Sequence, residues 1–132
     1  MVRERAIIAL WIIGPKAKDA VPILVAALDD ERSFVRLFAV GALGGIGAEA
    51  RDAVPALVKV LQDSERDNRL QTGDSRFRIG GERDTLLQTV DSLFRIGPAA
   101  KGAVSALMPA IQQDQDHHLR VHAAKAIWHI AP

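Results

Sequence analysis

Four histidines near one end of this sequence, His117, His118, His122 and His129, are its densest set of groups able to ligate a metal or move a proton. Spacings of four and seven place His118, His122 and His129 on one stripe of a helix, and a histidine pair at i, i+4 is a workable zinc or nickel clamp. Lys125 lies on the same stripe and would repel a cation, and no acid shares it, although Asp114 and Asp116 precede it. The stripe also falls opposite the apolar Leu119, Ala123, Ile127 and Ile130. It therefore reads as a solvated polar face, and no metal or other cofactor is expected.

Trp11 and Trp128 could stack on nucleic-acid bases, but the chain carries 17 Lys and Arg against 16 Asp and Glu, a net charge of +1. That balance gives no general attraction to phosphate, so nucleic acid is not the expected partner. Packing between helices explains the aromatics better. Arg3, Arg36 and Arg120 recur at one position of a repeat, where pairing with Asp29, Asp30 or neighbouring carbonyls explains them better than a ligand does. There is no cysteine, which removes disulfides, thiol nucleophiles and thiolate metal sites. The expectation is a protein without catalytic activity. No apolar run approaches the roughly 20 residues that span a bilayer, and no signal-peptide layout is visible. A cytoplasmic protein with no membrane partner is expected.

What positions these residues is a repeat. Val2-Arg3 to Ile13-Gly14-Pro15, Val35-Arg36 to Ile46-Gly47-Ala48, Thr85-Leu86 to Ile96-Gly97-Pro98 and Leu119-Arg120 to Ile130-Ala131-Pro132 are copies of one element. A second phrase alternates with it: Ala20-Val21-Pro22-Ile23-Leu24, Ala53-Val54-Pro55-Ala56-Leu57 and Ala103-Val104-Ser105-Ala106-Leu107. Apolar residues at helical spacing, such as Val35, Ala39, Val40, Ala42, Leu43 and Ile46, make each first element one face of a helix. Gly14, Gly47 and Gly97 then suit left-handed C-caps, and Pro15 and Pro98 suit the first turn of the next helix. Each repeat is thus a helical hairpin, an A helix followed by a B helix. The A helices are predicted at about 2–13, 34–45, 84–95 and 118–130, and the B helices at 17–28, 50–62 and 100–112. Pro22 and Pro55 fall inside B helices, which predicts a bend or a weakened hydrogen bond there.

The phrases Val35-Arg36-x-x-Ala39-x-x-Ala42-Leu43-x-x-Ile46-Gly47 and Ala50-x-x-Ala53-Val54-Pro55-x-Leu57 resemble the short HEAT-like repeats of phycobilisome lyases and many bacterial repeat proteins. The resemblance implies an all-α, right-handed solenoid of antiparallel hairpins, about 3.5 repeats and seven main helices, forming one domain over 1–132. It also implies a concave side lined by B helices, where partners dock. The outward B positions include Lys18, Asp19, Arg51, Asp52, Lys59 and Lys101. They are mixed in sign and lack an aromatic anchor, which fits a protein or peptide better than a nucleic acid. An interaction scaffold is the leading expectation. A bilin lyase or lyase accessory is the alternative, because that chemistry uses a cysteine on the substrate protein rather than on the enzyme.

The A helices align on their Ile-Gly or Ile-Ala ends at intervals of 33, 50 and 34 residues, so one interval carries 17 extra. Residues 64–80 match 81–97 at 12 of 17 positions, a tandem duplication of the third A helix and its lead-in. Arg69, Gly73 and Arg76 stand where the second copy has Leu86, Val90 and Leu93. Leucine is stabilised by burial and arginine is not, so 81–97 is predicted inside the array. Residues 64–80 are predicted as an excursion with a partial helix around 67–72. Its Arg69, Arg76 and Arg78 are candidate partner contacts, and a tolerated accident of duplication is the alternative.

On the outer stripe of the A helices, Ile8, Ile12, Phe34 and Phe38 are candidate contacts. Gly41 and Gly45 on the same stripe would allow close approach of an outside partner or of a neighbouring repeat. No polar capping repeat is identifiable at either end. End-to-end self-association, or membership of a longer array, is expected.

Overall fold

The computed structural model describes residues 2–70, 82–112 and 117–132; the side chains at 3, 4, 64–70, 82, 83 and 110 lie outside that description. The α-helices are α1 (Val2–Ile13), α2 (Val21–Ala27), α3 (Ser33–Ile46), α4 (Val54–Leu70), α5 (Glu82–Ile96), α6 (Val104–Gln112) and α7 (His117–Ile130). No strand occurs among the described residues. The expected seven separate helices require correction. A 3-10 segment of seven residues joins α1 to α2, α3 to α4 and α5 to α6 with no intervening loop. Among the described residues the chain therefore runs as four continuous helical stretches, 2–27, 33–70, 82–112 and 117–130.

The corner between A and B helices is built the same way three times. Gly14, Gly47 and Gly97 have φ of 67°, 78° and 77°, and among the described residues no other type has positive φ. Gly47 has ψ −142°, which is not the left-handed helical cap expected from sequence but a region that only glycine enters cheaply. Three residues later the chain leaves helical geometry again, at Ala17 (ψ 16°), Ala50 (ψ 16°) and Ala100 (ψ 20°). The B α-helices consequently start at Val21, Val54 and Val104, later than predicted. Pro22 and Pro55 are second residues of α2 and α4, where no N–H is needed, so neither bends a helix from within. The third corner has Ser105 at this position and keeps the same shape, so proline suits the corner without creating it.

The A helices α1, α3, α5 and α7 pack in chain order into one layer, and each 3-10 segment also lies on the A helix of the next hairpin. Helices α2, α4 and α6 form the second layer. Leu24, Val40, Leu43, Leu57, Leu93 and Leu107 are among the fully buried side chains of one continuous core. Gly44 of α3 lies so near α5 that an added Cβ would fall 2.5 Å from Ser92 Oγ and 2.9 Å from its Cα. Ser92 turns this approach to use: its buried hydroxyl donates to the Val40 carbonyl at 2.7 Å. Thr89, also buried, donates to the Thr85 carbonyl within its own helix at 2.6 Å.

The stretch Ser33–Asp63 has the length and mean hydropathy (1.3) of a membrane-crossing helix, but half of its most apolar window is buried against the rest of the fold. That is the environment of a core helix in a stack. Leu86, Val90 and Leu93 are fully buried, so 81–97 does supply the copy inside the array. The second B helix, predicted to stop at 62, continues to Leu70. The excursion expected over 64–80 thus begins as an extension of α4, and its remainder lies outside the described residues.

Candidate partner-binding surface

Counted from the glycine of each corner, Lys18, Arg51 and Lys101 occupy the same position, the last turn of each 3-10 segment. All three are exposed. None has an ion-pair partner among the described residues. Helical packing sets neighbouring repeats about 8–10 Å apart, so these cations form a row along the stacking direction. Asp19 and Asp52 stand beside the first two and are likewise exposed; Gly102 takes that place in the third. The row sits where each 3-10 segment runs on into the following α-helix.

The turn after α2 and the middle of α4 carry acidic groups. A cleft of about 400 Å³ is lined by Asp29, Asp30, Glu31 and Asp63 together with Arg36 and Lys59. Lys59 reaches Asp29 at 4.0 Å with both side chains largely in water, a contact worth little by itself. Arg36 is occupied structurally. Its guanidinium donates to the carbonyls of Asp30 (2.8 Å) and Glu31 (3.0 Å), closing the turn between hairpins. Arg120, its counterpart in α7, donates to the Ile111 carbonyl at 3.1 Å near the end of α6. These two arginines hold neighbouring carbonyls, as expected; the side chain of Arg3 lies outside the described residues. The side chain of Arg69 and all of Arg76 and Arg78 lie there too.

The outer-face candidates separate. Phe38 is half-buried and packs on Trp11 (centroids 5.7 Å apart) and Phe34 (6.2 Å). Ile8 is half-buried as well, whereas Phe34 is exposed and Ile12 is 80% exposed. The close approach offered by Gly41 and Gly45 is taken within the molecule by Trp11, whose ring lies 2.9 Å from where a Cβ at Gly41 would stand. Phe94 stacks on His129 with centroids 4.5 Å apart. Packing between hairpins thus holds for Trp11 and Phe94 and fails for Trp128, which is 74% exposed.

The histidine stripe has neighbours that its own helix did not reveal. His118 and His122 meet edge to face at 4.3 Å, and a cleft of about 380 Å³ joins them to Asp84 and Asp91 of α5. Asp91 is paired with Arg95 at 3.0 Å. No group of three metal-ligating side chains comes together among the described residues. Sequence reasoning missed Gly44 and Ser92, whose meeting fixes how α3 and α5 approach; a serine in mid-helix signals nothing until the glycine opposite it is known.

A family model described as HEAT repeats matches residues 1–73, more than half of the chain. The chain is a HEAT-repeat protein. No curated protein sequence matches it. The match is to HEAT repeats in general and does not extend to the phycobilisome-lyase subtype. Beyond residue 73 the same HEAT geometry continues in α5, its 3-10 corner, α6 and α7. HEAT repeats generally mediate protein–protein interaction.

Proposed function

We propose that this HEAT array is a non-catalytic scaffold that docks an extended, acidic peptide segment of a partner protein across its B-helix side. The observation that carries the reading is the row of exposed, unpaired cations Lys18, Arg51 and Lys101, repeated at one position of three successive corners. An extended peptide advances about 3.3 Å per residue, and packed helices repeat at about 8–10 Å. Carboxylates at every third peptide residue therefore match the row. The B side is the inner side of the right-handed superhelix in this reading, so the peptide runs along the stacking direction. Lys59 and the acidic cleft beside it bound the track and reject a partner with misplaced charge. Because the contacts are exposed, affinity is modest and falls as salt screens them.

The test is fluorescence anisotropy with two peptides of equal composition, one with glutamate at every third residue and one with shuffled positions. The wild-type protein should prefer the spaced peptide, and the triple variant Lys18→Glu/Arg51→Glu/Lys101→Glu should lose that preference while keeping its helical circular dichroism. Equal binding of the two peptides, or a triple variant indistinguishable from wild type, would overturn the reading.

A further inference from the structure

We infer that the cleft between α2 and α4 is a socket for one arginine side chain of a partner protein. It lies between successive hairpins, so both of its walls belong to the array and neither depends on an end of the chain. The assignment does not rest on the cation row. It names a second, opposite charge that a partner brings to the same side of the molecule.

The cleft has the two parts that an arginine needs. Its floor is apolar: Leu28 is buried, and Val25, Ala56 and Val60 are half-buried. Its rim is acidic, with the carboxylates of Asp29, Asp30, Glu31 and Asp63 against the two cations Arg36 and Lys59. A long side chain that lays its methylenes on apolar surface and keeps its charged head among carboxylates matches this division. At about 400 Å³ the cleft is near the lower bound of ligand pockets, with room for a side chain and not for a helix.

The rim holds more acid than folding uses. Asp30 serves the turn, where its Oδ1 accepts from the Arg32 N–H at 2.9 Å. Arg36 holds the carbonyls of Asp30 and Glu31. Counted from the corner glycines, Gln62 and Gln112 stand where Asp29 stands, so the hairpin junction forms without an acid at that position. The Glu31 carboxylate has no ion pair among the described residues. Asp29 meets Lys59 at 4.0 Å, with the two side chains 78% and 69% exposed. Such a contact is weak enough for a better-fitting cation to displace. Arginine is that cation, because its planar fork donates to two carboxylates at once and is less strongly hydrated than an ammonium.

The probe is acetyl-arginine amide, followed through the backbone amide signals of the isotope-labelled full chain. Saturable shifts should gather at Asp29, Glu31, Ala56 and Val60, and the uncharged isostere acetyl-citrulline amide should produce none. Free arginine, whose own carboxylate the rim repels, should bind more weakly than the capped form. Asp29→Asn/Glu31→Gln should weaken binding about tenfold, the effect of two exposed charge contacts, at an unchanged urea midpoint. Lys59→Met, which removes the competing ammonium, should tighten it. Equal shifts from arginine and citrulline, a double variant that binds like wild type, or loss of binding in Lys59→Met would overturn the assignment. So would shifts spread evenly to Asp19, Glu49 and Asp52, which mean general attraction to acid, or tighter binding of free arginine, which means a small-molecule site. No acidic peptide is used, so failure here leaves the test of the cation row untouched.

Discussion

At the residue scale, the array depends on places where a side chain is missing. Gly44 costs its helix about 1 kcal/mol relative to alanine, yet alanine there would drive a Cβ into Ser92. The neighbouring atoms include Ser92 Cα, so a rotamer change cannot relieve the clash; α3 and α5 would have to separate. Gly44→Ala should therefore destabilise by about 1–3 kcal/mol despite its better helix propensity, read as a lower urea midpoint at unchanged slope. An unchanged or raised midpoint would mean the helices shift apart at no cost. This contact was not legible in the sequence, because Gly44 and Ser92 lie in different repeats and neither residue names its partner. The exposed Lys18, Arg51 and Lys101 were legible, since repeat position and polarity alone put them on the surface. What the sequence hid was their isolation, which depends on where Asp19, Asp52 and Lys59 point.

At the element scale, the A helices were readable nearly to the residue, because a 3.6-residue apolar period and a following glycine both mark them. The B helices were not. The first four residues predicted for each, 17–20, 50–53 and 100–103, belong to 3-10 segments in which Ala17, Ala50 and Ala100 leave the helical region, and alanine composition argues for the opposite. Packing of the corner onto the next A helix decides the matter. The choice between the duplicated segments was legible for a simple reason: Leu86 must be buried and Arg69 resists it. Leu86→Arg, which copies the first segment's residue into the second, should abolish cooperative unfolding or lower the midpoint severely, since a fully buried position would receive an unpaired charge. A mild effect would mean that the segment carrying Arg69 can take over the core position.

At the scale of the whole molecule, stability is a sum of repeats and the contacts between them. Deleting residues 64–80 restores the interval between the second and third A helices to the 33 found between the first and second. The core contacts of α3 with α5 do not use that segment. The deletion should keep the helical spectrum and a single unfolding transition, with a midpoint near wild type, because loop-closure entropy changes only slowly with length. A collapse of the transition would show that the segment is part of the folded stack.

The interlock of Trp11 with Gly41 and Gly45 also gives the sequence a direction in time. A side chain gained at position 41 while the indole is in place must push the ring aside, because the ring already fills the space a Cβ would need. Trp11 can shrink first, leaving a gap that a later, larger residue at 41 refills. Of the two mutational orders, the one that enlarges position 41 first passes through the more strained intermediate, so the first and second repeats drift from their neighbours more readily when Trp11 shrinks first.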